Sequence, residues 1–222
     1  MSTTVRVLLG DDHKIVREGL KMVLADDPGL MVVAEADSGP GVLDMVQALQ
    51  GPQGVDVVLI DIAMPGMDGL NVLQNLRRDW PGLPVLMLST YPEKQYAVRC
   101  IQLGASGYLN KSTDTDALVA ALRRVAAGGM HVSPTTAEAL ASLVSQGRTK
   151  SGIEQLSHRE HQVYLLLTQG HSVSEIGAQL SLAPNTVSTY RARILEKTGT
   201  KNDVELALYA QSISASQGST FG

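Results

Sequence analysis

Five times before residue 127, a short apolar run gives way to a longer amphipathic segment, and this alternation limits the possible folds more than any other feature of the chain. The runs at 5–9, 31–36, 55–60, 84–89 and 107–109 have strand length and are rich in Val, Leu and Ile. The intervals at 16–24, 42–49, 70–76, 95–103 and 117–126 carry apolar residues at helical spacing. Strands separated by helices cannot pair as tight hairpins. They favour a parallel sheet with helices on both faces, so an α/β unit of (βα)5 type is expected.

From Gly128 the pattern changes. Gly128-Gly129 reads as a helix stop, and SLVSQGRTKSG at 142–152 as a linker, with a short connecting helix expected over 135–144. Beyond it only helical patterns remain, at 157–169, 172–180, 184–198 and 202–212. Ser157 and Ser172 are each followed three residues later by a glutamate, the spacing at which both side chains satisfy unpaired N–H groups of a first helical turn. Short turns separate these helices, which is the plan of a helix-turn-helix. At 222 residues the chain is long enough for two cores. The expected division is a first domain over 1–127, a linker over 128–155, an all-α domain of four helices over 156–215 and a flexible tail over 216–222.

Composition narrows the function classes. The hydrophobic fraction is 44% and no apolar run approaches the roughly 20 residues that span a bilayer, so no membrane partner is expected. The opening MSTTVRVLLGDD lacks a basic region, a long apolar stretch and a cleavage signature, which points to a cytoplasmic protein. One cysteine, Cys100, permits neither an internal disulfide nor a cysteine-based metal site, and it reads as a small core residue. The net charge of −4 is uneven: the acid excess lies in the first domain, whereas 185–201 holds Arg191, Arg193, Lys197 and Lys201 against Glu196 alone. A locally basic helix in an acidic protein hints at an anionic partner.

The chemistry lies at the strand ends. In VVLIDIAMPGMDGL, residues 57–70, a buried run stops on a carboxylate, Asp61. The first strand ends in Gly10-Asp11-Asp12, the fourth in Ser89-Thr90, and Asn110-Lys111 follows the fifth. If the first and third strands are neighbours, three carboxylates converge, and oxygen ligands with room for water suit Mg²⁺. A hard cation, a lysine and a hydroxyl around an acid make a phosphoryl site, with the carboxylate itself as the nucleophile. Any one of these residues alone reads as a cap, a loop acid or a solvated charge. Their joint occurrence is the signal.

LLGDDHKIVREGL, VVLIDIAMPGMDGL and PVLMLSTYPEKQYAVRCIQLGASGYLNK together resemble the receiver domain of two-component response regulators. LSHREHQVYLLLTQGHSVSEIGAQLSLAPNTVSTYRARILEKTGT resembles a LuxR-type helix-turn-helix, so most of the chain is similar to the NarL/FixJ-type response regulators. The resemblance implies a flavodoxin-like, doubly wound sheet. It also implies that Asp61 accepts a phosphoryl group from a sensor histidine kinase, with Mg²⁺ held by Asp11, Asp12, Asp61 and the backbone carbonyl of Ala63. Lys111 would contact the phosphoryl oxygens, while Ser89 and Tyr108 would form the switch. In the second domain, with its helix-turn-helix at about 173–192, it implies base reading by Ser188, Thr189 and Ala192. Phosphate contacts near Thr186, Arg191 and Arg193 follow likewise. The amphipathic pattern of 184–198 adds Asn185 as a reader and Lys197 and Lys201 as phosphate contacts on double-stranded DNA. The last helix, through Val204 and Leu208, would pair two copies on paired half-sites, with phosphorylation promoting the homodimer. Turnover of an external substrate is not expected.

Three positions depart from the family pattern. Gly10 replaces an aliphatic residue and is expected to loosen the end of its strand. Asn110 stands where an apolar residue often precedes the lysine, and Ala183 replaces the serine cap of the third helix. Two rival readings are a DNA-binding protein whose receiver only dimerises or binds a ligand, and an aspartate-nucleophile phosphohydrolase. The first would be signalled by loss of an acid or the lysine, and none is lost. The second needs an acid two residues after the nucleophile, where Ala63 stands.

Overall fold

Strands β1 (Val5–Gly10), β2 (Leu30–Ala36), β3 (Val57–Asp61), β4 (Val85–Ser89) and β5 (Gly107–Asn110) form one parallel sheet in the order β2-β1-β3-β4-β5. The computed structural model describes residues 4–91, 93–145 and 152–218. Helices α1 (Lys14–Ala25), α2 (Gly39–Ala48), α3 (Gly69–Asp79), α4 (Glu93–Gln102) and α5 (Thr115–Ala126) connect and follow the strands. This is the (βα)5 arrangement expected from the sequence.

Every residue of β3 and β4 is buried, because helices cover both faces of the sheet. Successive side chains alternate between two cores. Val58, Ile60, Val85, Met87 and Tyr108 meet α2, α3 and α4 through Val42, Leu73 and Tyr96. Val57, Leu59, Leu86, Leu88 and Leu109 meet α1 and α5 through Leu24, Leu118 and Leu122. Cys100 lies in the first of these cores, where burial pushes its thiol up to about 12, in keeping with an inert packing residue.

Two glycines shape the mouth of the sheet. Gly10 does not loosen β1: it is paired with Ala36 on one side and Ile60 on the other. A Cβ there would lie 2.6 Å from Val42 Cγ2, so the glycine lets α2 close over the strand. At Gly69 a Cβ would lie 2.1 Å from the carbonyl oxygen of Asp61. The loop after β3 folds back this closely, with Gly69 N–H donating to the Ile62 carbonyl at 2.9 Å, and α3 starts under an Asp68 cap.

The chain divides into two units, Met1–Gly147 and Arg148–Gly222. Residues 128–145, read from sequence as the start of a linker, therefore group with the first unit. The His131 N–H donates to the Ser106 carbonyl, and the His131 carbonyl accepts from Tyr108 N–H, a short extension of β5. Helix α6 (Pro134–Ser145) packs on α4, where buried Thr136 donates from Oγ1 to Glu93 Oε1 at 2.8 Å. Residues 146–151, the remainder of the expected linker before Gly152, lie outside the described residues.

The second unit is all helical among the described residues: α7 (His158–Thr168), α8 (Val173–Leu180), α9 (Pro184–Thr198) and α10 (Asp203–Gly218) surround Leu156, Val163, Ile176, Val187, Ile194 and Leu206. Both capping boxes form: Ser157 N–H donates to Glu160 at 2.6 Å and Ser172 N–H to Glu175 at 2.7 Å. Helix α10 continues to Gly218, into the stretch expected as a tail, because no proline interrupts its small and polar sequence. Residues 219–222 of that stretch lie outside the described residues.

Helix α9 starts at Ala183 without a side-chain cap bond, and Pro184 opens its first turn. Replacing Ala183 by Ser should supply the missing acceptor and raise the stability of the second unit by about 1 kcal/mol, measured by urea unfolding of Ala183→Ser.

Candidate phosphoryl pocket and helix-turn-helix

The sheet order reverses between β1 and β3, since the chain passes from β1 outward to β2 and returns on the other side. At such a switch point the carboxyl ends of neighbouring strands face a common crevice. Asp11 follows β1, Asp61 ends β3, Ser89 ends β4 and Lys111 follows β5. Asp11, Asp61 and Ser89 are buried. The Lys111 ammonium bridges the two acids, 2.6 Å from Asp11 Oδ2 and 2.7 Å from Asp61 Oδ2. Asp61 Oδ1 accepts from the Ala63 N–H at 3.3 Å.

Burial raises the Asp61 carboxyl above its ordinary value; Lys111 offsets this in part and Asp11 adds to it. Burial works against the Lys111 ammonium, but the adjoining carboxylates of Asp11 and Asp61 outweigh it and hold its pKa above the usual value. Ligand atoms of Asp11, Asp12, His13 and Asp61 lie within 4.8 Å of one another. His13 was not singled out in the sequence. Its N–H donates to Asp11 Oδ1 at 2.8 Å, and its Nδ1 lies 2.8 Å from Asp12 Oδ1, so it orients both acids.

Ser89 Oγ accepts from the Tyr91 N–H at 3.2 Å. Tyr108 is turned inward and buried, and its hydroxyl donates to the Tyr91 carbonyl at 2.6 Å. Burial pushes its phenol well above the ordinary value. The expected switch pair thus meets on the loop after β4.

In the second unit, α8, a turn at Ser181 in the left-handed region (φ 54°), and α9 form the helix-turn-helix. Val187 and Ile194 face the core, while Asn185, Ser188, Thr189, Ala192 and Arg193 are exposed. Among the described residues of α10, Leu206 faces the core, and Val204 and Leu208 stand exposed one turn apart.

The description "Response regulator receiver domain" matches residues 7–123, and "Bacterial regulatory proteins, luxR family" matches 154–210. The response regulator GacA of Pseudomonas aeruginosa is 40% identical over 207 residues, 93% of this chain and 95% of that one. The chain belongs to the NarL/FixJ-type response regulators. UvrY of Escherichia coli K12 is 36% identical over 203 residues, 91% of each protein. Among solved structures, the response regulator ChrA of a heme-sensing two-component system has a TM-score of 0.51 and 34% identity, covering 95% of this chain and 98% of that one. RcsB of Salmonella enterica serovar Typhimurium, bound to promoter rprA with a beryllofluoride phosphomimetic, has a TM-score of 0.55 and 25% identity over 93% of this chain and 98% of that one.

The regulator's acidic pocket fits a hard cation. Asp11 Oδ2 is buried and, although Lys111 is close, makes no well-aligned hydrogen bond, so this oxygen can accept a further positive partner. Adding Mg²⁺ should therefore raise the unfolding midpoint of the unsubstituted regulator, because a ligand that binds only the folded state stabilises it. In Asp61→Asn, which removes a carboxylate that burial disfavours, the metal-free midpoint should be higher and the response to Mg²⁺ smaller. Calorimetry with and without Mg²⁺ checks both.

Among the expected DNA contacts, two partly exposed basic side chains form ion pairs within the second unit. Lys197 Nζ lies 2.6 Å from Glu160 Oε2, and Arg191 Nε donates to Asp203 at 2.8 Å. Arg193 and Lys201 are exposed. Burial alone would raise the Glu160 carboxyl, but Lys197 and the Ser157 N–H outweigh it and hold its pKa below the usual range. A lowered folded-state pKa adds stability that is present above the unfolded value, roughly 4.3, and is lost as pH falls further. Lys197→Met should destabilise the second unit at neutral pH and flatten its acid-induced loss of stability, read by urea unfolding between pH 3 and 7 (roughly the carboxylate range).

Proposed function

We propose that this regulator is switched by phosphorylation of Asp61 by a sensor histidine kinase in the cytoplasm, and that the switch controls its binding to paired DNA half-sites. The observation that carries the reading is the buried Asp61 carboxylate at the mouth of the sheet, held by the same lysine that binds Asp11. One Asp61 oxygen attacks phosphorus, the new P–O bond forming as the P–N bond of the kinase phosphohistidine breaks and the imidazole leaves. Lys111 then shifts from two carboxylates to the phosphoryl oxygens. A magnesium ion held by Asp11, Asp12, Asp61 and the Ala63 carbonyl would neutralise charge on those oxygens. The phosphate adds roughly −1.5 to −2 charge. Ser89 then gives up the Tyr91 N–H to donate its hydroxyl to the phosphate, which leaves the inward place beside Tyr91 to Tyr108 and so repacks the outer face.

In the second unit, Asn185, Ser188, Thr189 and Ala192 face base edges, with Thr186, Arg191, Arg193 and Lys201 toward phosphates. Lys197 joins that set, and, like Arg191 with Asp203, it would exchange its pairing with Glu160 for a phosphate. The readers are short, so base selection rests on Asn185, methyl contacts and DNA shape. Val204 and Leu208 form the surface on which phosphorylation pairs two copies. Ala63 offers no second acid for phosphohydrolase turnover, and no helix among the described residues is long and apolar enough to cross a membrane.

Recovery of genomic fragments on the purified regulator, with and without beryllofluoride and Mg²⁺, tests this. Enrichment of a few fragments that rises with the mimic in the unsubstituted protein, and not in Asp61→Asn, is expected. Equal enrichment in every condition would leave a DNA-binding protein without phosphoryl control.

A further inference from the structure

Asn110, one of the three departures from the family pattern, joins the loop carrying the lysine to the loop carrying the switch hydroxyl. It ends β5 directly before Lys111 and lies opposite Ser89 in the sheet register. Its Oδ1 accepts from the Ser112 N–H at 2.9 Å and from Ser112 Oγ at 2.7 Å. Its Nδ2 donates to the Tyr91 carbonyl at 3.2 Å. The amide orientation is fixed by chemistry: a backbone N–H can only donate and a backbone carbonyl can only accept, so the oxygen must face Ser112 and the nitrogen Tyr91.

The Tyr91 carbonyl therefore has two donors, Asn110 and the Tyr108 hydroxyl, one for each lone pair. The Tyr91 N–H meets Ser89 Oγ, and the Lys111 N–H donates to the Ser89 carbonyl at 2.8 Å. The two loops are thus tied by backbone on one side and by a side-chain amide on the other. An apolar residue at position 110 would remove one of these two donors. With Asn110 present, the carbonyl stays where the inward tyrosine needs it even when the Tyr108 hydroxyl is away.

We infer that Asn110 is a positioning residue of the switch: it holds the Tyr91 carbonyl ready for the inward Tyr108 and so favours the phosphoryl-binding arrangement before a phosphoryl group arrives. The inference rests on the phosphoryl reading of Asp61. It makes Asn110 a determinant of how readily this regulator responds, acting through Tyr108 and not through contact with the reacting atoms. By population shift, a mutation that removes the preset state weakens any ligand that needs it, in proportion to the lost population.

Beryllofluoride with Mg²⁺, titrated into the full chain and followed by the fluorine signal of the bound ligand, gives the test. Asn110→Val should raise the half-saturating concentration about threefold to tenfold, the factor expected for one net hydrogen bond. Asn110→Asp, which keeps the Ser112 contacts and turns an oxygen toward the Tyr91 carbonyl, should shift it in the same direction and guards against a packing artefact at valine. In a Tyr108→Phe background, where no hydroxyl can use the carbonyl, Asn110→Val should change the titration by less than about twofold. Equal shifts in both backgrounds, or no shift in either, would overturn the inference and leave Asn110 a loop staple. If the unsubstituted chain fails to bind beryllofluoride in a manner abolished by Asp61→Asn, the phosphoryl reading falls and this inference falls with it.

Discussion

Lys111 Nζ sits between the carboxylates of Asp11 and Asp61, and the mouth of the receiver sheet is arranged around that ammonium. Two buried acids would repel each other, and a single cation close to both offsets that repulsion. The lysine comes from the end of β5, Asp11 from the end of β1 and Asp61 from the end of β3. A parallel sheet brings all these ends to one edge, and the order β2-β1-β3-β4-β5 makes β1 and β3 neighbours there. The pocket thus depends on the topology, and the topology on the two hydrophobic faces of the sheet.

The excess of negative charge in the pocket is what a proposed switch would act on. The lysine holds two acids and leaves Asp11 Oδ2 poorly satisfied, so a hard cation would offset the excess negative charge and make room for the proposed phosphoryl group. The contacts that would carry the proposed response are already formed. Ser89 and Tyr108 both meet Tyr91, the Tyr108 N–H meets the His131 carbonyl, and Thr136 on α6 meets Glu93 on α4. A two-state element of this kind needs only a bias, not a new fold.

Surface charge in the second unit follows a different logic. Lys197 and Arg191 lie on a helix whose charge pattern suggests nucleic acid, yet Glu160 and Asp203 hold them. A buried glutamate that completes a capping box cannot be left unpaired without a substantial loss of stability, so the lysine nearest to it is drawn inward. Arg193 and Lys201 have no comparable acid facing them among the described ion pairs, and they keep their charge at the surface.

Periodicity in the sequence determined both domains, because a parallel sheet buried on both faces must read as apolar runs separated by amphipathic helices. Asp11, Asp61, Ser89 and Lys111 were legible because each stands at a strand end. Cap and turn residues are local, and the two capping boxes of the second unit could be read within four residues. Partners far apart in the chain were not legible: Glu160 with Lys197, Arg191 with Asp203, Thr136 with Glu93, and Asn110 with Tyr91. The sequence shows that each of these groups can donate or accept. Which acceptor a donor reaches depends on how the chain packs, and that is why Gly10 proved a contact site for Val42 and not a loosened strand end, and why Asn110 proved a tie between two loops.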